Sequence, residues 1–109
     1  MLGLLVASNL VSILLNDSFE VESCEGVPFS VVKTVAAKYP TGTYAVKGFT
    51  EFKVNVNADG IVSSYEIVDS VPYRVFDRAA KRALNNWQFS SSELDERCFN
   101  VIFKFKLSE

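Results

Sequence analysis

Residues Phe99 to Leu107 carry the pattern that most limits how this chain can fold. Phe99, Val101, Phe103, Phe105 and Leu107 alternate with Asn100, Ile102, Lys104 and Lys106, so one face of an extended segment is apolar and aromatic and the other largely polar. A period of two belongs to a β-strand with one face on a core. The same alternation runs through Phe49 to Asn57, where Thr50, Phe52, Val54 and Val56 point one way and Glu51, Lys53, Asn55 and Asn57 the other. Asp59-Gly60 supplies the φ > 0 position that a hairpin turn requires, and Val62, Tyr65 and Ile67 carry the returning strand. The step from Val62 to Tyr65 is odd, which predicts a bulge near Ser63-Ser64.

After Ser70-Val71-Pro72 the period changes. Phe76, Ala79, Ala80, Ala83, Leu84 and Trp87 recur at helical spacing, with Asp77, Arg78, Lys81, Arg82, Asn85 and Asn86 on the other side. This predicts an amphipathic helix with Ser70 or Tyr73 near its cap, and its alanines allow close approach to a sheet. Trp87 shares the stripe of Phe76 and Leu84, so it reads as a core plug before a ligand platform. Ser90 to Glu93 reads as a loop. Upstream, the proline rule extends the chain at Tyr39, and Pro40 can open a weak helix across Thr41 to Val46 that Gly48 ends. The predicted fold is α+β: a three-stranded antiparallel sheet packed on one face by a main helix, with a short N-terminal helix.

A chain of 109 residues supports one core. Its apolar content of 49% argues against disorder, and its net charge of −2 gives no basic surface for nucleic acid. Histidine is absent, which removes imidazole bases and imidazole metal ligands. Scattered carboxylates and loop serines without a base exclude a recognisable catalytic site. No metal or cofactor is expected. Residues 1 to 16 include an apolar run from Leu2 to Leu15, about 21 Å as a helix, which is short of a bilayer and fits a signal segment, with a short anchor or an ordinary buried helix as the alternatives. Residues 17 to 38 form an N-terminal arm: Asp17, Glu20, Glu22 and Glu25 suggest solvation, while Phe29, Val31, Val32 and Val35 suit a strand or a helical turn. Cys24 and Cys98 are too few for a thiolate zinc site and enough for one disulfide, which an oxidising compartment permits; two free thiols are the alternative.

The remaining domain, residues 39 to 109, contains a series of local motifs in order. These are Tyr39-Pro40, Gly48 leading to Asp59-Gly60, Ile67-Val68-Asp69-Ser70-Val71-Pro72, Phe76-Asp77-Arg78-Ala79-Ala80, Ala83-Leu84 and Asn86-Trp87-Gln88-Phe89. Together they resemble the C-terminal domain of TonB energy transducers over Tyr39 to Leu107. The resemblance implies a periplasmic module that captures a peptide of a TonB-dependent outer-membrane receptor by strand addition, in energy-dependent transport. It assigns partner binding to Phe99, Asn100, Val101, Ile102, Phe103, Lys104, Phe105, Lys106 and Leu107, and requires the outer flank of that strand to be vacant. The lysines there can equally be guards that keep an empty edge soluble. It also implies inner-membrane motor proteins of the ExbB/ExbD type as partners. The chain has neither a proline-rich spacer nor the membrane-helix histidine of complete transducers, so a stand-alone recognition domain is expected. The competing reading is a structural envelope domain that forms a homodimer through its sheet edges.

Overall fold

The computed structural model describes residues 11, 13–42 and 47–106. Among the described residues, seven strands and one helix follow in the order β1 (Ile13–Leu15), β2 (Phe19–Ser23), β3 (Val31–Lys33), β4 (Lys47–Asn57), β5 (Val62–Val71), α1 (Asp77–Leu84), β6 (Gln88–Phe89) and β7 (Glu96–Lys106). Five strands make one sheet ordered β1-β2-β7-β4-β5, and β3 pairs with β6 in a small second sheet. All these pairings are antiparallel.

The alternating segments fold as their periods require. Thr50, Phe52, Val54 and Val56 of β4 are fully buried, and so are Val101 and Phe103 of β7, with Phe99 and Phe105 nearly so. Asn57 builds the hairpin turn: its Oδ1 accepts the N–H groups of Asp59 and Ile61, and its carbonyl accepts Gly60 N–H. Gly60 has φ +86°, and a Cβ there would run into the Phe89 carbonyl, so only glycine fits. The returning strand has its bulge at Ser63, because Asn55 faces Ser64 while Val56 faces Val62; a second lies at Val68.

Helix α1 buries Ala80, Ala83 and Leu84, and Phe76 and Trp87 bracket it with exposures of 0% and 3%. Phe76 stacks on Phe105 at 4.3 Å, and the Trp87 ring meets Phe103 edge-on at 5.5 Å. The indole Nε1 donates to the Val35 carbonyl at 2.8 Å, so both ends of Trp87 are engaged inside the protein.

Several sequence-based expectations need correction. The sheet has five strands rather than three, because Ile13–Leu15 of the expected signal or anchor segment form β1 and the expected solvated arm supplies β2; the arm also supplies β3, which belongs to the small second sheet. Glu20 and Glu22 do point outward, but Phe19, Val21 and Ser23 between them are buried, which is the alternation of a strand. The helix begins at Asp77 with no side-chain cap. Arg74 is left-handed at φ 65°, which a helix cannot include, and Ser70 Oγ accepts the Arg74 N–H rather than a helical one. Thr41 and Gly42 lie in a turn, and residues 43–46 of the expected short helix lie outside the described residues. So do residues 1–10 and 12 of the apolar run; of its remainder, Ile13–Leu15 form β1 and Val11 pairs with Phe29. No helix among the described residues is long and apolar enough to cross a membrane.

Candidate functional site

Of the nine residues assigned to partner binding, Phe99 to Lys106 lie in β7, and Leu107 lies outside the described residues. Their alternation sorts them as expected: Phe99, Val101, Phe103 and Phe105 enter the core, while Asn100, Ile102 and Lys104 are only partly covered. Asn100 Nδ2 donates to Glu51 Oε2 at 2.7 Å and Lys104 Nζ to Glu20 Oε2 at 3.2 Å, across to β4 and β2. These polar residues therefore have cross-strand partners on both sides.

The vacant flank is not there. One side of β7 pairs with β4 from Lys106↔Lys47 to Glu96↔Asn57. Its other side pairs with β2, Phe99 to Phe103 facing Ser23 to Phe19 in unbroken register. The expectation of a free terminal edge is thus corrected: an interior strand cannot accept another strand while both its ladders are filled. The reason lies in the arm, where Phe19 and Val21 are 5% and 0% exposed and Phe19 meets the Trp87 ring at 4.8 Å.

Hydrogen bonds and one covalent bond fix where β2 starts and stops. Asn16 Oδ1 accepts the N–H groups of Ser18 and Phe19, turning the chain into the strand, and Ser23 Oγ accepts those of Glu25 and Val27 at its end. Cys24 and Cys98 are joined by a disulfide with their Cα atoms 5.3 Å apart. At the opposite end Lys104 N–H donates to the Ser18 carbonyl, and β2 has no partner for Phe105 or Lys106. The arm is therefore clamped at one end of β7 and leaves a short overhang at the other. Near the clamp, burial pushes the Arg97 guanidinium below its usual range, and one of its terminal nitrogens donates to the Asn57 carbonyl at 2.8 Å.

The Tyr39 ring lies edge-on to Phe76 at 5.6 Å, so it packs on the core beside α1. Among the described residues no group of His, Cys, Asp or Glu is placed to hold a metal. The arrangement offers strand edges and grooves. The arm residues Phe19, Val21 and Ser23 were missed from sequence, although their alternation was present; their carboxylate neighbours masked it.

The comparison with curated proteins found no match. A solution NMR structure of the Pseudomonas aeruginosa TonB C-terminal domain is similar, with a TM-score of 0.64 over 74% of this chain and 88% of that one, at 22% identity, a level at which the likeness speaks for the fold. The family model of the Gram-negative bacterial TonB protein C-terminal domain matches residues 44–107, more than half of the sequence and all of the β4-β5-α1-β7 framework. This chain belongs to the TonB C-terminal domain family.

Proposed function

We propose that this protein is a periplasmic binding module that captures an extended peptide of an outer-membrane receptor by strand exchange on β7, with the β1-β2 arm as its resident placeholder. The observation that carries the reading is β2 itself, a five-residue antiparallel strand seated on β7 at the flank an incoming peptide needs. A segment with an apolar-x-apolar-x-small pattern, like Phe19 to Ser23, would repeat the burial that β2 achieves beside β7 and Trp87. The overhang at Phe105 and Lys106 gives a newcomer its first backbone partners. Displacement then runs from Phe19 toward Ser23 and stops at the disulfide, which keeps the displaced arm attached. In this reading the contacts fall on Phe99 to Leu107, and β1 belongs to the working domain, so a cleaved leader ends before Val11. Engagement of an inner-membrane motor, and a place in energy-dependent transport, belong to the same proposal and rest on the family.

Titration with extended peptides from the plug regions of outer-membrane receptors tests this reading. Binding is expected, and Phe19→Ala should tighten it by about tenfold or more, because a weaker arm competes less. Absence of binding to both the parent and Phe19→Ala proteins leaves the structural, dimerising reading instead.

A further inference from the structure

The opposite border of the sheet is built differently. Among the described residues β5 pairs only with β4, and none of them occupies the outer ladder along its ten residues. Tyr65 and Ile67 face Val54 and Phe52 in the register and so lie on the core side, yet they are 38% and 36% exposed because α1 does not extend over them. Between β5 and α1 runs a groove of about 570 Å³, with Ile67 and Tyr73 as its apolar walls and Arg74, Arg78 and Lys81 around it. Among the described residues Asp77 is the one carboxylate in the lining, and it accepts the Thr50 hydroxyl. Three cations against one carboxylate leave the groove at +2 in a chain whose net charge is −2. Arg74 lies over the Tyr73 ring at 5.2 Å, in a left-handed conformation where glycine would sit without strain.

We propose that the β5-α1 groove is a second docking site, for an extended acidic peptide that adds to the free edge of β5 with its carboxylates turned toward α1. Backbone pairing supplies affinity without sequence preference, and the cations select charge and orientation. The other face of β5 carries Glu66 and Asp69, opposite Lys53 and Glu51. Acidic residues on that side of the peptide are therefore disfavoured, and the ligand needs its acids on the side facing α1 only, where they take turns with apolar residues that rest on Ile67. A second copy of this chain fits worse. Antiparallel self-pairing of β5 centred on Ile67-Val68 brings Glu66 of one copy against Asp69 of the other, and the bulges at Ser63 and Val68 interrupt a regular ladder. This site does not depend on strand exchange at β7, because the two lie on opposite sides of β4.

The test is amide NMR of the intact, oxidised protein titrated with a blocked Glu-Thr-Val-Thr-Glu-Thr-Val-Thr peptide, with a Lys-for-Glu version as control. Expected are shifts in β5 and α1, none with the lysine peptide, and affinity that falls as salt is raised. The Arg78→Glu/Lys81→Glu variant replaces two exposed residues and should weaken binding by about tenfold or more with its thermal melt unchanged. No shifts, shifts confined to β2 and β7, or equal binding by the variant would overturn the proposal. So would concentration-dependent shifts of β5 in the free protein, which would reveal self-association, or the same α1 shifts with anionic vesicles alone.

Discussion

Replacing Phe19 by alanine measures whether the arm belongs to the core. The side chain is 5% exposed and its ring meets Trp87 edge-on at 4.8 Å, inside a cluster that includes Phe103 and Phe89. Deleting a buried phenylalanine costs about 3–5 kcal/mol in lost transfer free energy and residual cavity. Of that, about 0.5–1.5 kcal/mol reflects the edge-to-face ring pair, and a double-mutant cycle with Trp87→Ala isolates it. A residue of a solvated arm would lose less than about 0.5 kcal/mol, so the two descriptions differ by several-fold. Urea unfolding followed by far-UV circular dichroism reads the difference. If the arm detaches before the rest unfolds, the loss is capped at its docking free energy and the slope m falls, because less surface remains to be exposed. A loss below about 1 kcal/mol with m unchanged would refute the reasoning, since it would mean that Phe19 contributes little to the fold.

Three further perturbations probe other parts of the fold. Joint replacement of Cys24 and Cys98 by alanine should cost about 4 kcal/mol in the chain-entropy model for cysteines so far apart, read from the urea midpoint against the oxidised parent; a loss under about 1 kcal/mol would contradict it. Gly60→Ala should destabilise by about 2 kcal/mol or more in a thermal melt, because it adds a side chain at φ +86° against the Phe89 carbonyl. A neutral result would show that the hairpin turn relaxes freely. Lys104→Ala should change stability by less than about 0.5 kcal/mol, because its ion pair with Glu20 is partly solvated at 34% and 42% exposure; a loss above about 1.5 kcal/mol would mean the pair is shielded from water.

The framework of β4, β5, α1 and β7 could be read from the sequence because each element carries one period throughout. Thr50 to Val56 alternate without interruption, the odd step after Val62 marks the bulge, and the stripe from Phe76 to Trp87 has a single apolar face. The arm could not be read in the same way. Phe19-Glu20-Val21-Glu22-Ser23 has the right period, but two carboxylates and a serine in five residues resemble a solvated tail until a partner strand is known. That partner is β7, more than seventy positions away, and the information that joins them is tertiary: a flank of β7 with buried aromatics beneath it. The disulfide carried part of that information, since two cysteines capable of bonding can bring the ends of β2 and β7 together. Residue-by-residue expectations for β7 therefore held on which side chains face inward and failed on what lies beside the strand.

Hydrogen exchange at the amides of Phe19 to Ser23, measured with and without a saturating receptor-plug peptide, tests strand exchange most directly. The expected result is loss of protection in Phe19 to Glu22 while Phe99 to Phe103 remain protected, because the ladder on β7 changes partner without opening. Peptide bound at saturation with β2 still protected would contradict the exchange.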